Sequence, residues 1–168
     1  MNLPEACSAG GPVLAIPAEL AFSWGGVDNG DYDRACAAEN HTNLDYGAIG
    51  IVKVGVGRAL ALDLELLTAF LATPSGGVII RNYDEDPLTD DVAQTMVAGV
   101  QEWTSWGEPL SLEDGRLFIF DSAYPGAADP QDIEAEEGVI AARLGSGKYA
   151  IHTAVSDGIE LIRLTRTQ

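Results

Sequence analysis

Basic side chains are scarce in this chain of 168 residues: 9 Lys and Arg stand against 26 Asp and Glu, a net charge of −17 at neutral pH. Nucleic acid and anionic membranes are held by Lys and Arg that neutralise them, so the composition argues against both as partners. Histidine is equally rare. His41 and His152 are the only two, and neither belongs to a His-Glu-x-x-His or paired-cysteine spacing, so the sequence carries no zinc signature and no metal or other cofactor is expected. Cysteine is limited to Cys7 and Cys36. Two distant thiols without Cys-x-x-Cys spacing suit a reducing compartment better than a disulfide framework. No run of about 18 apolar residues occurs, so no membrane-spanning helix is expected. The first residues, Met1-Asn2-Leu3-Pro4-Glu5, lack the basic and apolar stretches of a signal peptide. The expected location is the cytoplasm.

Apolar residues are not scarce. They make up 46% of the chain, too many for an acidic disordered protein, so the negative charge belongs to the surface of a folded body. The length fits a single domain, residues 1–168, on a prior of roughly 100–200 residues per domain. A body of this size hides roughly 70% of the surface its unfolded chain exposes, enough to fold without staples. The surplus acid favours solubility and attracts basic partners.

Turn residues divide the chain into short apolar runs. Val13–Ile16 reads as a strand between Gly10-Gly11-Pro12 and Pro17, and Pro17 fits the first turn of a helix over 18–23. Residues 28–43 are rich in Asp and Asn and read as a loop with a helical turn near 32–38. Gly47–Val54 and 58–63 read as a hairpin around Gly55-Val56-Gly57. Residues 64–71 fit a helical turn or a strand equally well, and 77–82 fit a strand. The clearest helix spans 90–103. Thr89 is its expected N-cap, Asp90 and Asp91 lie where the helix dipole favours anions, and Val92, Met96, Val100 and Trp103 form one apolar stripe. Within that helix Gly99 would let a neighbour approach closely.

The strongest hairpin signal is Asp114-Gly115, between strands at 110–113 and 116–121. After an acidic loop over 125–137, three strands at 139–144, 148–155 and 159–165 close the chain around Gly145-Ser146-Gly147 and Asp157-Gly158. A weak echo relates Gly57–Asp63 to Gly115–Asp121, each the return strand of an expected hairpin. The short connections predict largely antiparallel sheets. The fold class is therefore α+β, mainly β and sandwich-like, with one main amphipathic helix.

Few motifs carry chemistry. Gly145-Ser146-Gly147-Lys148-Tyr149 lacks the early glycine and the Ser or Thr of a phosphate loop, and precedes a strand. Gly55-Val56-Gly57 has Leu60 where a dinucleotide fingerprint needs its third glycine. Asp121, Ser122 and His152 could form a triad only in three dimensions, and Ser122 lacks the Gly-x-Ser-x-Gly elbow. The acids cluster at Asp28, Asp31 and Asp33, at Asp84, Glu85 and Asp86 with Asp90 and Asp91, and at Asp129 to Glu137. The middle cluster lacks the alternating ligands and closing Glu of a calcium loop. These clusters are either solvated loops or a docking surface. Trp24, Trp103 and Trp106 fit a core or a binding hot spot.

The runs Gly10-Gly11-Pro12-Val13-Leu14-Ala15-Ile16-Pro17-Ala18-Glu19-Leu20, then Trp24, then Asp31-Tyr32-Asp33-Arg34-Ala35-Cys36 resemble the Immunity protein 21 family of bacterial polymorphic toxin systems. The resemblance continues through Ile49 to Leu62, Phe120-Asp121-Ser122-Ala123-Tyr124-Pro125-Gly126 and Gly147-Lys148-Tyr149. Members tend to carry a tryptophan just before the Gly-Gly-Pro stretch, where this chain has Glu5-Ala6-Cys7-Ser8-Ala9. The resemblance implies a mostly β, non-enzymatic cytosolic protein that binds and neutralises a cognate toxin domain. A basic toxin such as a nuclease would gain most from an acidic cap. The expected partner-binding residues are Trp24, Asp31, Tyr32, Asp33, Asp84, Glu85 and Asp86. Two other readings stay open: a small-ligand binder or enzyme whose site assembles only in three dimensions, and a self-associating scaffold.

Overall fold

The computed structural model describes residues 1–38, 40–44, 47–84, 87–126 and 129–167. Twelve strands and four helices occur among them. They are β1 (Glu5–Ala6), β2 (Val13–Pro17), α1 (Ala18–Ala21), α2 (Asp31–Cys36), β3 (Asn40–Leu44), β4 (Gly47–Val54), β5 (Gly57–Leu62), β6 (Thr68–Thr73), β7 (Gly76–Arg81), α3 (Asp90–Gly99), β8 (Thr104–Leu112), β9 (Arg116–Asp121), α4 (Pro130–Glu134), β10 (Ile140–Arg143), β11 (Gly147–Ser156) and β12 (Ile159–Thr167). The fold is α+β and mainly β, as the sequence predicts. One sheet runs β1-β6-β7-β12-β11-β8 and the second β10-β9-β2-β5-β4-β3. Every pairing is antiparallel.

The two sheets stack face to face. Val13, Ala15, Leu60, Leu62, Leu117 and Ile119 of the second sheet pack against Phe70, Ile79, Trp106, Tyr149, Ile151 and Ile162 of the first. Both outer faces are also covered. On the second sheet, Leu14, Ile16, Phe118 and Phe120 lie under Ala18, Leu20, Ala21 and Trp24, Ala35 of α2 and Ile133 of α4. On the first, Val78, Ile80 and Leu161 lie under Ala93 of α3, with Leu88 and Tyr83. Four layers result. Strands β2 and β9 are buried on both faces, so they read as continuous apolar runs. Each large apolar side chain enclosed this way contributes roughly 1.5–3 kcal/mol.

Two expected hairpins are absent, for one reason. Strand β8 pairs with β11, while β9 pairs with β2 and β10. Asp114-Gly115 therefore carries the chain from one sheet to the other. Gly145-Ser146-Gly147 does the same between β10 and β11. The two crossings lie together: the N–H groups of Leu144 and Gly145 donate to the Gly115 carbonyl at 2.8 and 3.0 Å. Gly115 has φ 80°, and a Cβ there would come within 2.5 Å of Gly145. The echo between Gly57–Asp63 and Gly115–Asp121 loses its basis as well, because only the first segment is the return strand of a hairpin. The turn of type I′ lies instead at Asp157-Gly158, whose φ angles of 51° and 82° join β11 to β12.

Smaller differences follow from local packing. The 64–71 segment resolves as a turn and then β6. Strand β3 forms within the expected loop, and α4 within the acidic stretch, where the Asp129 side chain accepts from the Gln131 N–H at 2.9 Å. Helix α3 stops at Gly99, not at 103. Gly99 meets nothing where a Cβ would be, so it ends the helix and admits no neighbour. Thr89 holds the N-cap position without a side-chain cap hydrogen bond. Val92, Met96, Val100 and Trp103 are only partly buried, with Ala93 seated beneath them.

An ion pair closes one end of the interior. Arg81 and Glu160 are fully buried and 3.1 Å apart. Arg81 also donates to the carbonyls of Asp63 and Leu64, at 2.7 and 2.9 Å. Those carbonyls belong to the crossing from β5 to β6, where Leu64 takes a φ of 67°, so a guanidinium on the first sheet holds the link to the second. Burial pushes the Glu160 carboxyl above its ordinary value despite the attraction of Arg81.

Candidate functional site

The short motifs of the sequence converge on the outer side and one end of the second sheet. The chain leaves β2 through α1 and runs along 22–27. Beside it lies the segment that leaves β9, residues 122–126. The Val27 N–H donates to the Ala123 carbonyl at 3.1 Å, and the Gly126 N–H to the Trp24 carbonyl at 2.8 Å. The segments touch so closely that a Cβ on Gly126 would lie 1.9 Å from the Ala21 carbonyl oxygen, and one on Gly26 2.3 Å from that of Ala123. Only glycine fits either place.

The loop before β2 is tied into the same knot. Ser122 is fully buried, and its hydroxyl donates to the Pro12 carbonyl at 2.6 Å. Asp121 accepts from the N–H groups of Ala9 and Ala123 at 3.0 and 2.9 Å. Tyr32 donates its hydroxyl to the Gly10 carbonyl at 3.0 Å. Cys36 beside the phenol pushes it up from its ordinary value, with burial and the carboxylates of Asp121 and Asp33 adding to this, so it stays a donor.

The expected partner-binding residues differ in how far these positions expose them. Trp24 is 1% exposed, and its indole N–H donates to the Ser122 carbonyl at 2.9 Å. It is a core residue, with no face for a partner. Asp31 is 5% exposed. It accepts from the Gly25 N–H at 2.8 Å and pairs with Arg34. Burial would raise its carboxyl, but the Gly25 hydrogen bond, the Asn29 amide and Arg34 outweigh that and hold it below the ordinary value. Both side chains are largely buried and bonded within the loop, so little of either is on the surface. Tyr32 is half-buried, while Asp33 is exposed on α2. Asp84 is exposed too, but it follows β7 on the other sheet. Glu85 and Asp86 lie outside the described residues.

Asp121, Ser122 and His152 are not brought together as a triad. Ser122 and Asp121 are occupied at the end of β9 in the second sheet. His152 lies on β11 in the first, with Arg163 opposite it. Burial, and then Arg163, push the imidazole below its ordinary value. Arg163 in turn lies over the Trp103 ring at 4.2 Å. No cluster of three metal-ligating side chains occurs among the described residues, and no helix among them is long and apolar enough to cross a membrane.

What the knot presents outward was missed at the sequence level. Phe22, Val27, Val56 and Tyr124 are 65%, 58%, 101% and 61% exposed. Phe22 and Val27 flank the buried Trp24, and Tyr124 belongs to the segment bonded beside them. Val56 is the tip of the β4–β5 hairpin, where Gly55 takes a φ of 54° in a two-residue turn. It shares with Phe22 a cleft of about 490 Å³. Tyr124 borders a second cleft of about 770 Å³ with Cys7, Glu136 and Glu137. One signal for Val56 was present in the sequence: a β-branched residue between two glycines at a turn serves neither the turn nor a strand.

A model of the family Immunity protein 21 matches residues 6–160. The chain belongs to the Immunity protein 21 family. The match takes in every segment of the knot, from the loop before β2 to the segment after β9. No curated protein and no solved structure matches the chain. Family membership makes this an immunity protein of toxin systems and so implies a toxin as its partner.

Proposed function

We propose that this immunity protein is a single domain that binds and neutralises one cognate toxin domain by covering it. The observation that carries the reading is that large apolar side chains stand exposed around the knot, Phe22 and Val56 on one cleft and Tyr124 on another, with Val27 exposed as well, on a chain where carboxylates outnumber cations. An apolar cleft wall left open in this way is a surface that a partner can cover. The surrounding charge favours a cationic toxin, such as a nuclease with a basic cleft. Opposite charge accelerates encounter and selects the partner, while buried apolar anchors supply most of the affinity. Exposed Asp33 and Asp84 act in the first role, together with Glu85 and Asp86 of the same sequence run. Steric cover then blocks the toxin without any chemistry by the immunity protein.

The test is to look for a toxin domain encoded beside this gene and to co-express the two. Growth should be rescued, and the two proteins should co-purify. Reversing Asp33 and Asp84 to lysine should slow association about tenfold at low salt and flatten its salt dependence. An unchanged association rate would eliminate electrostatic steering. Failure of the two proteins to bind would eliminate the proposal itself.

A further inference from the structure

The cleft between Phe22 and Val56 contains an unmatched acceptor. Glu19, on α1, spends Oε1 on the Glu113 N–H at 2.6 Å. Its other oxygen, Oε2, is buried and has no hydrogen-bond partner among the described residues. A carboxylate oxygen shut away from donors is costly unless something completes it. Around it the wall is mixed: Leu20, Phe22 and Val56 are apolar, Ser23 and Ser111 are polar, and Gly55 and Gly57 contribute backbone. The remaining charges in the wall are Glu113 and Arg58, and Arg58 is paired with Glu108. The site thus combines an apolar wall with net negative charge, two carboxylates against one cation that is already paired.

We propose that this cleft receives one basic side chain, Arg or Lys, projecting from the partner. Its aliphatic stem lies against Leu20, Phe22 and Val56, and its cationic head pairs with the Glu19 carboxylate, which turns to present Oε2 to it. Long basic side chains are suited to this, because they bury an apolar stem while the head keeps a polar partner. Arginine fits best, since its fork can bind Glu19 and reach a second acceptor at the rim, where Glu113 stands. The inference rests on the immunity reading for the identity of the partner, but the chemistry of the cleft does not.

Two measurements separate these. First, N-acetyl-arginine amide is titrated into the free protein, with amide shifts followed by NMR and N-acetyl-norleucine amide as the control. Arginine should move the amides of residues 19–23 and 55–58, norleucine should not, and Glu19→Gln should abolish the effect. Second, binding of the cognate toxin domain is measured for Glu19→Gln and Phe22→Ala. Glu19→Gln keeps an acceptor for the Glu113 N–H and leaves thermal unfolding unchanged, yet it should weaken the complex about 30-fold or more. Phe22→Ala should weaken it about tenfold. If the toxin binds both variants as tightly as the parent and arginine shifts nothing, the cleft is not the docking point and the immunity reading stands. If the toxin binds neither parent nor variants, the immunity reading falls and the assignment of the occupant falls with it.

Discussion

Replacing Arg81 by Met should be among the most damaging single changes in the molecule. The substitution keeps an unbranched apolar stem and removes the guanidinium with its charge and its donors. Glu160, which is fully buried, would then face the interior alone, and breaking a buried pair from one side costs about 3–5 kcal/mol. The carbonyls of Asp63 and Leu64 would also lose their donor, adding about 1–3 kcal/mol. The expected loss is about 5 kcal/mol, set against a typical total of about 5–15 kcal/mol. For a chain of this length it corresponds to a fall of roughly 10–20 °C in the melting midpoint.

A double variant separates the two contributions. Arg81→Met with Glu160→Leu removes both charges, so only the unpaired carbonyls remain, and the deficit should shrink to about 1–3 kcal/mol. Acid provides a third check. Glu160 already favours its neutral form relative to an ordinary carboxyl of pKa 4.5, and without Arg81 it favours that form more strongly. The stability linked to the neutral form is present at low pH and lost as pH rises through the folded-state value. The deficit of Arg81→Met should therefore narrow as pH falls toward 4.5. Urea unfolding curves at several pH values measure all three effects. A double variant as stable as the parent would refute the anchoring of the β5–β6 crossing. A single variant losing less than about 1 kcal/mol would refute the reading of the pair as a buried constraint.

Two further changes probe the motif knot. Gly126→Ala should destabilise the fold by about 1–3 kcal/mol, since its methyl would meet the Ala21 carbonyl at 1.9 Å, and chemical unfolding would show whether the 21–27 segment yields more cheaply. Asp31→Asn should remove part of the acid sensitivity. The Asp31 carboxyl is held below its ordinary 3.8, so its stabilisation is complete above about pH 4 and fades as pH falls through the folded-state value. The parent should lose stability there faster than the variant, as followed by circular dichroism.

The positions of most strands, the mainly β class and the acidity were legible in the residues, because apolar runs separated by glycine, proline and aspartate break the chain at defined places. The Gly47–Val54 strand and the Asp157-Gly158 turn are local facts of this kind. Strand pairing was not legible. A turn dipeptide such as Asp114-Gly115 reverses the chain without specifying whether the next strand joins the same sheet or the facing one, and that choice is made by which apolar faces can be buried together. The same limit governs the site. Trp24 is large and aromatic wherever it lies, and only the packing of 122–126 against 21–27 encloses it while leaving Phe22 and Tyr124 outside. Sequence fixes what each side chain offers, whereas exposure depends on segments about a hundred residues apart meeting in space.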